Sequence, residues 1–285
     1  MKKLKNIAIL GSGKIGCDLL VKCISEDTLK VICMAGRHST SKGLEFASKL
    51  GVPITDRSIE GIFESRERVD IVIDCTSAAH HKHNYEICKN NGVVIIDMTP
   101  ANLGVTCCPA VNLSECLNAG NINMISCGGQ ASMPICLALK EENPSLEYIE
   151  IISTISSASA GPGTRKNISQ YVSSTQAAIS NMIAIKRAKV IINITPAIPP
   201  VFMKTSILVE TSEIANASKT KAKIEEIVQK ISSYIPGYKL TIGFESIGEK
   251  SICQVMVVGS GHYLPPYAGN LDIINCAALE VIRNL

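Results

Sequence analysis

The chain has 285 residues, 46% hydrophobic and 19% charged, so it carries enough apolar side chain for a sizeable core and lacks the makeup of a disordered segment. Its formal net charge of +3 is spread along the sequence without a long Lys/Arg run, which argues against a nucleic-acid or anionic-membrane surface and for a small-molecule partner. No stretch approaches the roughly 18 apolar residues of a membrane helix, the "IAIL" run near the start is too short for a signal peptide, and twelve cysteines without paired metal spacing read as reduced thiols of a cytoplasmic protein.

Residues 6 to 10, "NIAIL", predict a strand that runs into "GSGKIG" and then into the helix-spaced "CDLLVKCI". Gly11, Gly13 and Gly16 satisfy G-x-G-x-x-G directly after that strand. The first glycine allows the tight turn, the second lets the backbone approach a pyrophosphate, and the third lets helix and strand pack closely. The helix N-terminus would offer its unpaired N–H groups to the phosphates. A second strand, "LKVICMAG", ends in "RHSTSKG", where Arg37, His38, Ser39 and Ser41 stand and no acid is present to bind a ribose 2′-hydroxyl. NAD and NADP are therefore both open, with Arg37 a candidate reader of a 2′-phosphate. A helix at 41–50, a third strand "VDIVIDCTS", a helical "HKHNYEICKNN" and a fourth strand "GVVIIDMTP" extend the alternation, which predicts a parallel sheet buried on both faces. Ser77 and Thr99 follow strand ends and are candidate cofactor contacts. His80, His81 and His83 lack a recognised zinc spacing and read as partly exposed residues at a helix start, with no metal expected.

The stretch "ISCGGQASMP" sets Cys127 after a short apolar approach and before two glycines and a helix. A helix N-terminus lowers a thiol pKa, and the glycines would leave room for a substrate carbonyl and turn N–H groups toward an oxyanion. Cys127 is the candidate nucleophile. After the strand "LEYIEIISTIS", the turn "SSASAGPGTRKN" offers Arg165 as a candidate ligand for an anionic group. The chain closes with "GHYLPPYAGNLDIINCAALEVI", a helix expected to return to the first domain.

"GSGKIG", "SCGGQAS", "SASAGPGTRKN" and "HYLPPYAGNLDI", in that order over nearly the whole chain, resemble four signature segments of the acylating acetaldehyde dehydrogenases, NAD-dependent enzymes that convert an aldehyde and coenzyme A into acyl-CoA. The resemblance implies an α/β fold with a Rossmann-type dinucleotide-binding domain, residues 1–128 with 263–285, and a mixed-sheet catalytic and dimerisation domain, residues 129–262. It implies an acyl-thioester on Cys127. Ser12, Gly13, Lys14 and Ile15 match the first cofactor segment, between Gly11 and Gly16. Ser159, Ala160, Gly161, Pro162, Gly163, Thr164, Arg165, Lys166 and Asn167 match the second, and Asn270 matches the C-terminal cofactor contact. Coenzyme A as co-substrate, a homodimer and an aldolase partner also follow from the resemblance. Family members carry an Asp in a P-P-x-x-M-R-D segment; here "IPPVFMKTS" places Thr205 there, and His262 is a candidate substitute base. Three readings stand beside one another. The first is a short-chain aldehyde and acyl-CoA oxidoreductase with hydride transfer to or from a nicotinamide. The second is the same thioester chemistry with another acyl carrier or a free acid as product, and the third is a cofactor-binding homologue without turnover.

Overall fold

The computed structural model describes residues 4–65 and 67–285. The first half alternates β1 (Lys5–Leu10), α1 (Lys14–Ile24), β2 (Leu29–Ala35), α2 (Lys42–Lys49), β3 (Ile54–Thr55), α3 (Ser58–Phe63), β4 (Ile71–Asp74), α4 (Ala78–Asn90), β5 (Val94–Asp97), β6 (Val105–Thr106), α5 (Pro109–Cys116) and β7 (Asn121–Asn123). The second half runs α6 (Cys127–Glu142), β8 (Tyr148–Ser156), α7 (Pro162–Lys166), α8 (Ile168–Ile183), β9 (Arg187–Thr195), β10 (Met203–Glu210), α9 (Ala217–Ser232), β11 (Tyr238–Ile247), β12 (Lys250–Val257) and α10 (Gly269–Asn284).

The seven strands of the first half form one parallel sheet in the order β3-β2-β1-β4-β5-β7-β6. β4 is buried along its whole length because helices cover both faces, and its unbroken apolar-rich sequence is the consequence. The four strands expected from apolar runs are β1, β2, β4 and β5. The order reverses between β1 and β4, so the ends of those strands splay apart and leave a crevice there, the place where open parallel sheets bind ligands.

The second sheet, β11-β12-β10-β8-β9, is mixed: β8 and β9 run parallel and the remaining pairs antiparallel. Its central strands β8, β10 and β12 alternate between buried residues and more exposed ones over most of their length, and the helices pack on one face, α6 on β8, α8 on β9 and α9 on β11. One face is therefore covered by helices and the other is open. The fold is thus a Rossmann-type α/β unit joined to a second α/β unit with a mixed sheet.

α10 returns to the first sheet, as the sequence predicts, and a buried polar cluster fixes it there. Lys22 of α1 pairs with Asp18 and with Asp272 of α10, both at 2.7 Å, and Asn275 donates to Asp18 at 2.7 Å. Burial opposes the charge on Lys22, but the two carboxylates hold its ammonium above the ordinary value.

Candidate active site

The crevice begins at the first glycine turn. Gly11 has φ +114, and a Cβ there would meet the Cys75 backbone at 2.8 Å, so the turn closes tightly against the end of β4. A Cβ on Gly16 would meet the Gly11 carbonyl oxygen at 2.0 Å, the close helix-to-strand packing that the motif predicts. A Cβ on Gly13 would meet nothing within 4 Å. Protein packing therefore does not require that glycine, whereas a ligand passing over the N-terminus of α1 would. Gly11, Ser12 and Gly13 line a cavity of about 330 Å³ with Gly36, Arg37, His38 and Ser41 at the end of β2 and with His80 of α4. Among the described residues none that lines this cavity is acidic. Arg37 Nη1 lies 3.2 Å from His80 Nε2, and the Ser12 and Ser41 hydroxyls are hydrogen-bonded at 2.6 Å.

Cys75, Thr76 and Ser77 line this cavity and also a second one of about 170 Å³. The shared wall makes the two spaces one cleft. Cys127 lines the inner space with Ile15, Ser77, Thr99, Thr164, Asn167 and Asn270, so six other sequence-predicted residues share its cavity. Asn270 is buried and its Oδ1 has no hydrogen-bond partner, an orphaned acceptor of the kind that marks a missing ligand group. A dinucleotide fits these observations: open space over Gly13, a helix N-terminus for phosphates, and a free amide acceptor at the inner end.

The local fold explains how Cys127 comes to the wall. Ile125, between β7 and α6, has φ +61, a left-handed conformation that a β-branched residue adopts only under strain. Asn123 Oδ1 accepts from the Ile125 N–H at 2.7 Å, and Gln130 Nε2 donates to the carbonyls of Cys107 and Met124, which pins the turn from both sides. Ser126 then caps α6 by accepting from the Gly129 N–H at 2.9 Å. The helix continues through Pro134 to Glu142.

Three expectations about this turn change. The helix terminus does not yield a thiolate in the free protein: burial pushes the Cys127 thiol up to about 11 and outweighs the helix-start N–H groups. The Gly129 N–H is consumed by the cap and is not free for an oxyanion. The glycines do not leave empty space either, since a Cβ on Gly128 would lie 1.8 Å from Tyr171 Oη and 3.0 Å from Ser153 Oγ. Tyr171 and Cys75, both on the cavity wall, were not found by sequence reasoning. Burial holds the Cys75 thiol well above its usual range, as it does the Tyr171 phenol.

The second glycine segment reaches the first, because Lys14 Nζ donates to the Ala158 carbonyl at 3.3 Å. Ser159 and Ala160 are buried beneath that contact, and a Cβ on Gly161 would meet nothing within 4 Å. Pro162 and Gly163 open the short α7, which carries Thr164 to the cavity wall and leaves Lys166 exposed. The exposed Arg165 guanidinium donates to the Ala160 carbonyl and to Ser157, and so braces the loop. His262 is absent from the Cys127 cavity. It lines a different cleft with Tyr234, and its Nδ1 lies 3.3 Å from Lys22 Nζ, which removes it as the base for this thiol. His81 is not partly exposed but wholly buried, with Nδ1 2.9 Å from Asp74 Oδ2 and Nε2 3.0 Å from Asn121 Nδ2, while His83 pairs with Glu60 on the surface. Thr205 is buried against Ser153, their hydroxyls 3.0 Å apart.

A Rossmann sheet whose nucleotide crevice ends at a cysteine on the neighbouring unit defines a two-unit α/β protein of the dinucleotide-fold class. Residues 127–265 match the family described as prokaryotic acetaldehyde dehydrogenase, dimerisation, and residues 5–100 match dihydrodipicolinate reductase, N-terminus. The acetaldehyde dehydrogenase of Pectobacterium atrosepticum is 41% identical over 283 residues, 99% of this chain and 95% of that protein. Those of Spirochaeta aurantia, 41% identical, and Burkholderia thailandensis, 42% identical, each cover 96% of this chain and 92% of their own length. The chain belongs to the acetaldehyde dehydrogenase family and is an oxidoreductase of that kind. Among the described residues no helix is long and apolar enough to cross a membrane.

Proposed function

We propose that the protein interconverts a short-chain aldehyde and its acyl-CoA through a thioester on Cys127. The observation that carries this reading is the cleft in which the wall Cys75 to Ser77 joins the glycine turn to the space lined by Cys127 and the orphaned Asn270 acceptor. Bound in that cleft, a nicotinamide supplies the hydride acceptor or donor. Gly11 to Gly16 and the segment Ser159 to Asn167 would hold the dinucleotide, with Asn270 at its inner end. The Cys127 sulfur adds to the aldehyde carbon, and it then keeps the acyl group as a thioester until the thiol of coenzyme A removes it. Residues 1–128 with 263–285 would bind the cofactor and carry the Cys127 thiol at their boundary, and residues 129–262 would supply the facing wall of the site and the dimer contact.

The open face of the second sheet supports a homodimer. Leu208, Ile252, Ile152 and Met256 stand half-buried on neighbouring strands of that face, an apolar surface that a second copy would cover. All twelve cysteines are free, in keeping with a reducing cytoplasm. At the β2 end, Arg37 and His80 without a carboxylate favour NADP over NAD.

The test is the intact mass of the protein after incubation with acetyl-CoA and longer acyl-CoA thioesters, alongside Cys127→Ala. An acyl adduct on the wild type alone, with consumption of NADH or NADPH in parallel, supports the reading and names the acyl group. Dinucleotide binding without any adduct or turnover would point to a homologue that binds cofactor and does no chemistry.

A further inference from the structure

Tyr171 of α8 is 8% exposed, and its hydroxyl has no hydrogen-bond partner although it lies on the wall of the Cys127 cavity. An unpaired buried hydroxyl is costly and uncommon, so a partner that appears only during the reaction is the natural account of it. The surroundings of Gly128 show which partner. The position where a Cβ would project from Gly128 is 1.8 Å from Tyr171 Oη and 3.0 Å from Ser153 Oγ, so the phenol occupies the space beside the residue that follows Cys127. Behind it, Ser153 of β8 and Thr205 of β10 stand opposite one another in register, both buried, with their hydroxyls 3.0 Å apart. The phenol thus stands beside the turn that carries Cys127, with the two hydroxyls of the second sheet behind it, and none of the three groups is charged.

We propose that Tyr171 is a catalytic residue whose O–H donates a hydrogen bond to the Cys127 sulfur when that sulfur is negative, and that Ser153 and Thr205 position the phenol. The proposal rests on the thioester reading above. In that cycle the sulfur carries charge twice. It does so when the thiol gives up its proton before adding to the aldehyde, whose oxygen takes up a proton as the C–S bond forms. It does so again when the bond from the acyl carbon to the coenzyme A sulfur forms and the bond to Cys127 breaks with its electron pair on Sγ. The proton lost by the coenzyme A thiol balances the one that restores the Cys127 thiol. Once the phenol turns its O–H to the sulfur, Ser153 would donate to Tyr171 Oη and accept from Thr205, so that each hydroxyl polarises the next. A buried thiol needs such a donor, because desolvation alone would keep it neutral and weakly nucleophilic.

The experiment follows iodoacetamide alkylation of Cys127 by peptide mass across the neutral to alkaline range, for the wild type, Tyr171→Phe, Ser153→Ala and Thr205→Val, with Cys127→Ala to identify the peptide. Tyr171→Phe should slow alkylation at mildly alkaline pH by about tenfold or more and move the titration upward, since a hydrogen bond to an ion is lost. Ser153→Ala and Thr205→Val should move it the same way by less. Coincident pH profiles for Tyr171→Phe and wild type would overturn the proposal; should Tyr171→Phe not fold, coincidence of Ser153→Ala with wild type would do so. The acyl adduct from acetyl-CoA is read on the wild type in parallel. A Tyr171-dependent profile without an adduct sinks the thioester reading and leaves the hydrogen bond standing, whereas an adduct with coincident profiles sinks the role of Tyr171 alone.

Discussion

Gly13 and Gly128 both follow a strand and both stand at the start of a helix, yet a side chain at each would meet opposite surroundings. Beside Gly13 there is open space, and beside Gly128 there is the phenol of Tyr171. The first glycine keeps room for something the chain itself does not supply. The second keeps room for another part of the same chain. Identical local sequence signals therefore report two physical causes, ligand approach in one turn and side-chain packing in the other, and only the tertiary neighbours separate them.

Substituting the packed glycine should have the larger effect. In Gly128→Ala the new methyl would sit 1.8 Å from Tyr171 Oη, so α6 or α8 must shift. Overpacking of this kind costs about 1–3 kcal/mol, read by thermal unfolding. Displacement of Cys127 should slow acylation by acetyl-CoA about a hundredfold, read by intact mass. Combining it with Tyr171→Phe should recover part of the lost stability. A Gly128→Ala protein that melts and acylates like wild type would erase the distinction between the two turns.

Gly13→Ala should behave in the reverse manner. Its methyl meets no protein atom within 4 Å, so the melting temperature should hold while dinucleotide affinity, measured by fluorescence titration, weakens about tenfold as the methyl blocks the approach to α1. Unchanged affinity would mean that the cofactor does not cross this turn.

The same contrast explains what could be read from the chain. β1, β4 and β5 were legible as short apolar runs, because a strand buried on both faces needs apolar side chains throughout. β3 and β6 were not, since two residues paired at the edge of a sheet leave no pattern to read. Cys127 was legible from its glycine-flanked helix start, which is local. Its neighbour Tyr171 was not, because α8 reaches the cavity only through packing of the second unit, and a tyrosine in an amphipathic helix resembles any other core aromatic. The position of His262 failed for the same reason: the sequence put it near a cofactor segment, and the fold turned it toward Lys22.

Arg37→Ala sharpens the nucleotide side of the comparison more modestly. Arg37 is exposed, so its charge is partly screened and its contact with a 2′-phosphate is worth about 1 kcal/mol, or roughly a fivefold loss of NADPH affinity with NADH affinity unchanged. Equal, small losses for both dinucleotides would show that Arg37 reads no phosphate.

The smallest effect concerns how each region is held. Thr76, on the wall shared by the two cavities, is fixed by its N–H and hydroxyl donating to Asp74 Oδ1, and Asp74 is in turn bound by the buried His81. Burial opposes the charge on His81, but the hydrogen bond to Asp74 and the carboxylates of Asp97 and Asp74 hold it above the ordinary histidine value. A pKa raised by folding contributes stability that is fully present below the unfolded value near 6.5 and disappears as pH rises through the folded value. Asp74 is held below its usual range: burial works against this, but hydrogen bonds from His81, Asn84 and Thr76 outweigh it, so its contribution is lost only as pH falls toward strong acid. Asp97, pushed by burial to about 6, acts with the opposite sign to Asp74: its contribution is present below the ordinary carboxylate value and is lost as pH rises to about 6. His81→Asn keeps a donor for Asp74 without the charge. The stability gap between wild type and this variant should therefore be widest in mild acid and narrow by about 1 kcal/mol toward alkaline pH. The hydroxyls around Cys127 do not titrate in that window, so Ser153→Ala should leave a gap that is flat with pH. A pH-dependent gap for Ser153→Ala, or a flat one for His81→Asn, would reverse the assignment of charge to the nucleotide side and neutral hydroxyls to the thiol side.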